Sequence, residues 1–390
     1  MAPATGATRL HHGARVSWGV TRLNTLIGLC CFLLAACGQS TAPGHAASAA
    51  EEKVVNVYNW YDYIEPEVLR KFEAKYGVQV HYTVFDSNNT LEARLLAGHS
   101  GYDVVFPSGA YLESLIAAGV FRPLDKSRLP NLTYLDPAIM QRLAAHDPGN
   151  AHAVDYTWGI TGIAYDEAKV RARLPQAPVD SWSMLFDPQV AARFADCGIG
   201  LYESPNVIVP SVLAWLGEPP NSEDPGKLER AQTALLAVRP YIRKIGSGSL
   251  VDDLATGELC VIIASNGDAM QAQERARIAA NGAQIRYSIP REGAVMWFDV
   301  AAIPTDAPHP GNAHLLIDFL MDPAIAAENS NAIRFPNGNA AAQAMLQPDL
   351  TNASIFPSGE LATRLIPERA KREAYVRRRT RVWTRFRTGQ

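Results

Sequence analysis

The sequence predicts an α/β protein built as two lobes, on three observations. Strand-like apolar runs alternate with helical stretches through short links. Polar clusters stand just past the carboxyl ends of those runs, where open α/β sheets bind ligands. The chain has 390 residues, 47% of them hydrophobic and 19% charged, enough for two cores. A net charge of −3 does not suit a nucleic-acid binder. The one basic run, "RRRTRVWTRFR" at 377–387, reads as the solvated face of a last helix, with a membrane or partner contact as the alternative.

The first segment reads as a targeting signal. Leu26 to Ala36 is apolar, too short to span a bilayer, and preceded by Arg9, Arg15 and Arg22 with no acid before it. It runs into Leu34-Ala35-Ala36-Cys37, which resembles the lipobox of bacterial lipoproteins, so lipidation of Cys37 is expected. An ordinary signal cut later, near "GHAASAAEE", is the alternative, and either places the mature chain outside the cytoplasm. The small and polar residues 38–53 read as a flexible tether. Of the five cysteines, Cys197 and Cys260 remain for the folded body; an oxidising compartment favours one disulfide between them over two free thiols.

The folded body begins at Val54. Val54 to Trp60 is expected as a strand and Pro66 to Tyr76 as a helix, with Pro66 in the first turn and Gly77 as the stop. Strands follow at 78–85 and 102–108 around a helix at 90–97, which implies parallel strands covered on both faces. Further strands are expected at 161–166, 198–204 and 259–268, with a strand pair or bend at 296–304. Helices are expected around 231–238 and at 314–322, and His309 and His314 in a loop.

Three strand ends share one composition. Trp60, Tyr61 and Asp62 follow the first strand, Asp86 to Asn89 the second, and Ser108 with Gly109 the third. Asn266, Gly267 and Asp268 follow a later strand, and Trp297, Phe298 and Asp299 sit within another. Carboxylates beside aromatic faces suit an organic cation, through charge-assisted hydrogen bonds and cation–π attraction. Rim packing would explain the same rings, a turn would explain Asp62, and arginine partners would satisfy Asp268 and Asp299. No nucleophile elbow, phosphate loop or dinucleotide fingerprint occurs, so nothing calls for an enzyme or a cofactor.

Taken together, "VYNWYDYIEP", "FDSNNTLEARLLAG", "YDVVFPSGAYLESL", "GVFRPLDKSRLPN", "TWGITGIAYD", "LCVIIASNGDA", "SIPREGAVMWFDVAAIP" and "RTRVWTRFRTG" resemble the periplasmic polyamine-binding proteins of ABC importers, closest to the putrescine-binding branch. The likeness runs from about Val54 to Gln390. It implies a type II periplasmic-binding-protein fold with discontinuous lobes and a ligand cleft between them. Lobe 1 would comprise 54–156 and about 278–322, and lobe 2 about 157–277 and 323–390. A small cationic ligand and a membrane permease are the implied partners, with no nucleic acid and no second copy. The resemblance also places Cys197 and Cys260 where that branch has its cysteine pair.

By the same resemblance Trp60, Asp62, Ser108, Asp268, Trp297 and Asp299 match the branch's ligand site. Four further site positions depart from it. Tyr61 stands where the branch has serine, Val207 about where it has glutamate, Ser265 where it has tryptophan, and Phe335 where it has tyrosine; Asn206 or Glu203 could stand in for the glutamate. The end served by Asp62, Ser108 and Asp299 is therefore expected intact and the end served by Asp268 loosened. The expected function is capture of putrescine or a related amine for an importer. The alternative is a sensor or envelope interaction protein on the same fold, without transport.

Overall fold

A computed structural model describes residues 51–246, 249–352, 355–357 and 359–390. The expected export signal, the lipobox cysteine Cys37 and nearly all of the tether lie outside the described residues. The first strand, β1 (Val54–Trp60), leads into helix α1 (Pro66–Tyr76). Glu65 caps α1 by accepting from the Glu67 N–H, Pro66 opens it where no donor is needed, and Gly77 ends it at φ 62°. Val68 and Phe72 are its buried face. Then come β2 (Gln79–Phe85), α2 (Asn88–Leu96) capped by Ser87, β3 (Val104–Val105) and α3 (Gly109–Ala117).

The remaining strands are β4 (Ala153–Asp166), β5 (Ile199–Tyr202), β6 (Ile242–Gly246), β7 (Val261–Ser265), β8 (Ile285–Ser288), β9 (Ala294–Ala302) and β10 (Leu365–Pro367). They pair in the order β2-β1-β3-β9-β4-β7-β5-β6, with β8 added beside β4 and β10 beside β9. The fold is α/β and two-lobed, of type II. One half of the sheet is β2, β1, β3, β9 and the start of β4; the other is the end of β4 with β7, β5, β6 and β8. Valines and phenylalanines of β1, α1 and the helix Pro310–Leu320 form a core on the first half. Trp182, Phe186, Phe194, Trp383 and Phe386 do so on the second.

The strands are not all parallel, as the sequence implied. Within each half the βαβ units are parallel, but β9 runs antiparallel to both β3 and β4, and β4 antiparallel to β7 and β8. The reason lies in β4, whose fourteen residues are all buried and which serves both halves. Sequence reading found only its last six residues, because Asp155 and Thr157 interrupt the apolar run. Each has a partner distant in the chain: Asp155 Oδ2 accepts from the Gly338 N–H at 2.6 Å, while its Oδ1 is buried with no partner among the described residues, and Thr157 Oγ1 meets the Tyr63 hydroxyl at 2.7 Å. Burial pushes the Asp155 carboxyl up to about 8.

Other expectations shift locally. The third strand stops at Val105, since Pro107 has no N–H to continue a ladder, and resumes as a single bridge between Ser108 and Asp299. The stretch expected as a strand pair or bend at 296–304 belongs instead to one continuous strand, Ala294–Ala302, that ends two residues earlier. Asn266 to Asp268 follow β7, as expected, but open the helix Asn266–Ala279, so the strand expected to run to 268 ends at Ser265. His309 is the N-cap residue of the helix Pro310–Leu320 and His314 is buried within it, so neither lies in a loop. The expected lobe edges at 278 and 323 cut through contacts: β8 pairs with the distal half of β4, and Lys71 on α1 pairs with Glu328 of the helix Pro323–Ile333 at 2.5 Å.

Cys197 and Cys260 form a disulfide, with Cα atoms 5.5 Å apart, that ties the residues before β5 to those before β7 across 63 positions. Closing a loop of that size stabilises by roughly 4 kcal/mol in the chain-entropy model. The double variant Cys197→Ala/Cys260→Ala is expected to lose about that much in urea unfolding. An unchanged midpoint would show the link to be energetically idle.

Candidate functional site

The site starts from one carboxylate. Asp299 lies in β9 with only 7% of its surface exposed, and β4 pairs Thr157 directly with it. Ser108 donates to its Oδ1 at 2.5 Å and Tyr63 to its Oδ2 at 2.9 Å. Each hydroxyl is set by a further group. Asn88, at the start of α2, donates to Ser108 Oγ at 2.9 Å and accepts from the Ser108 N–H at 3.0 Å. Because the Tyr63 proton goes to Asp299, the Thr157 hydroxyl must donate to Tyr63. Main-chain pairing brings Ser108 there, since Val300 N donates to Pro107 O at 3.1 Å.

Hydroxyl donors stabilise an anion but carry no charge. Burial dominates, and it pushes the Asp299 carboxyl up to about 6 against the pull of Ser108 and Tyr63. Among the described residues no lysine, arginine or histidine lies within ion-pair distance of Asp62, Asp268 or Asp299. Among the described residues, the arginine partners that would have made these acids structural are not there.

A second acid group forms at the N-terminus of the helix Asn266–Ala279. Ser265 is its N-cap and Asp268 its third residue, joined as a capping box. Asp268 Oδ2 accepts from Ser265 Oγ at 2.8 Å and from the Tyr202 hydroxyl. The Tyr202 oxygen in turn accepts from the Ser265 N–H at 2.9 Å. Ser265 thus spends its hydroxyl on the helix end and on Asp268.

Aromatic rings join the two acids. Phe335 stands 5.2 Å from the ring of Tyr63 and 5.8 Å from that of Trp297, both edge-on. A Cβ on Gly267, beside Asp268, would come within 2.3 Å of Phe335, and one on Gly159 within 2.2 Å of Trp297, so both glycines are required by these close approaches. Trp60 is fixed at the near side: its indole N–H donates to Phe106 O at 2.9 Å and its ring lies 4.5 Å from Phe85.

The other named positions sit apart. Tyr61 is 73% exposed, and Asp62 is an exposed residue at φ 51°, in the left-handed region that aspartate tolerates better than most. Val207 lies in the first turns of the helix Pro205–Trp215 against the second core and offers no charge. Glu203 pairs with Arg387 at 2.5 Å, so it is committed elsewhere, whereas Asn206 faces the Tyr111 hydroxyl. Sequence reading missed Tyr63, Thr157 and Tyr202. Tyr63 had a signal, standing one residue past Asp62 among the aromatics.

Comparison with known proteins gives the chain's family. The model for the bacterial extracellular solute-binding protein family matches residues 67–358. The putrescine-binding periplasmic protein SpuD of Pseudomonas aeruginosa is 43% identical over 351 residues, covering 88% of this chain and 94% of its own. The putrescine-binding periplasmic protein PotF of Escherichia coli is 40% identical over 345 residues, covering 88% and 93%. Among solved structures, the spermidine/putrescine ABC transporter substrate-binding protein PotD of Streptococcus pneumoniae superposes with a TM-score of 0.76 at 25% identity, over 87% of this chain and 99% of that one. The chain belongs to the bacterial extracellular solute-binding protein family.

Proposed function

We propose that the chain captures polyamine-like organic cations, putrescine or a related amine, outside the cytoplasm and hands them to the permease of an ABC importer. The observation that carries this reading is Asp299, a buried carboxylate held by neutral hydroxyls with no cation of its own. An ammonium group arriving between the lobes would supply the missing charge. Ser108 would orient the acid, Trp60, Trp297 and Phe335 would wall the alkyl chain, and Asp62 and Asp268 would meet the remaining charge. Tyr61 would cover the mouth. The relatives named for putrescine and spermidine support the ligand class.

The far end is weaker than a full diamine site needs. Val207 brings no acid and Ser265 no ring, and a charge-assisted hydrogen bond is worth about 1.5–3 kcal/mol. Loss of one costs a diamine roughly tenfold to a hundredfold in affinity. That same loosening favours the second reading, a sensor or envelope partner that keeps the fold without transport. We also propose that Cys37 carries a lipid anchor, that the chain acts as a monomer, and that closure bends β4, which pairs within both halves of the sheet.

Three outcomes test the proposal. A thermal-shift panel of putrescine, cadaverine, spermidine, agmatine and basic amino acids should give at least one strong shift, and a flat panel would favour the sensor reading. Asp299→Asn should weaken amine binding about a hundredfold in calorimetry while the ligand-free melting point holds or rises, because a buried charge is removed; undiminished binding would remove Asp299 from the site. Affinity should also fall as pH drops below about 6, approaching tenfold per unit, because a proton on Asp299 competes with the guest. A flat profile from pH 7 to 5 would contradict that role.

A further inference from the structure

Glu368 follows β10 and has no place in the site as described so far. The parallel pairing of β10 with β9 matches Pro367 to Met296, and the Glu368 N–H donates to Met296 O at 2.9 Å. That bond places Glu368 beside Trp297. Neighbours across a sheet share a face, and the period of two puts Trp297 and Asp299 on the same one. Glu368 therefore stands on the face that carries the ring and the acid of the site.

Its carboxylate is partly buried and makes no hydrogen bond or ion pair with the described residues. The charged groups that face it are Asp299 on β9, Lys371 three residues on, and Arg379 of the helix Glu373–Thr388, with Tyr111 of α3 close to Arg379. Neither cation forms an ion pair with Glu368, and the buried Arg379 Nε has no hydrogen-bond partner among the described residues. Lys371 Nζ donates to Asn221 at 2.7 Å and 3.1 Å, and the buried Arg379 guanidinium lies 5.7 Å from the ring of Tyr375. Burial pushes the Glu368 carboxyl up to about 7, with the Asp299 charge adding to it and the two cations opposing.

Resting on the polyamine reading, we propose that Glu368 is a second anion of the cleft and pairs with the ammonium of a diamine that lies farther from Asp299. The acid absent at Val207 is thereby replaced from the C-terminal segment. When the ammonium arrives, the carboxylic acid form of Glu368 gives its proton to solvent and the carboxylate stays with the guest. Selectivity for two charges over one then depends on this side chain.

The test is calorimetry of the full chain at pH 7 with putrescine and with propylamine, each in two buffers of different ionisation heat. The wild type should bind putrescine more tightly and release protons as it does so. In Glu368→Gln the ratio of putrescine to propylamine affinity should fall about tenfold and the proton release should shrink, with Glu368→Asp partly restoring both. The ligand-free melting point of Glu368→Gln should not fall, which separates a lost contact from a damaged fold. An unchanged ratio, or equal losses for both amines, would overturn the assignment of Glu368 while leaving the amine site standing. A wild type that binds neither amine would overturn the polyamine reading and this inference with it.

Discussion

The hydrogen bonds from Ser108 and Tyr63 to the buried carboxylate of Asp299 are what the rest of the site is arranged around. An ionised acid out of water is costly unless a charge or several donors compensate it. Here the protein supplies donors and withholds the charge. Each donor is itself held, Ser108 by Asn88 and Tyr63 by Thr157, so residues of the turn after β3, of α2, of β4 and of the turn after β1 converge on one pair of oxygens. The carboxyl settles near neutrality, where the arrival of a cation tips it fully to the anion. Such a group is poorly suited to packing and well suited to receiving a positively charged guest.

Its position would also link binding to the proposed closure. Asp299 and its neighbour Thr157 lie on β9 and β4, and β4 carries its pairing from one half of the sheet into the other. A guest that ionises Asp299 would act beside β4, the strand shared by both halves of the sheet. The second acid, Asp268, has a different footing. It sits in the first turn of a helix, where the backbone dipole favours its charge, and one of its oxygens is taken by Ser265 and Tyr202. Between the two acids run Tyr63, Phe335 and Trp297, an apolar wall of the kind an alkyl chain with charged ends would lie along.

Much of this was legible in the sequence because strand ends and helix starts have local signatures. Pro66 and Gly77 bounded α1, and the alternating apolar run fixed β1 to its last residue. The polar residues Asp155 and Thr157 hid half of β4, since their partners, Gly338 and Tyr63, lie far away in the chain. Antiparallel pairing of β9 was invisible for the same reason: direction within a sheet is set by distant neighbours. Among site residues, Asp299, Trp297 and Ser108 stood out by composition. Glu368 did not, because a glutamate in a charged stretch looks solvated until β10 pairs with β9. Arg379 likewise read as one more solvated cation, yet it alone of the basic tail at 377–387 turns inward.

The central claim is that an external cation completes Asp299. A crystal structure of the protein grown with putrescine tests it most directly. The account predicts an amine nitrogen within hydrogen-bonding distance of an Asp299 oxygen, with the alkyl chain against Trp297 and Phe335. A lysine or arginine of the protein itself occupying that place, or the diamine bound elsewhere with Asp299 unchanged, would contradict it.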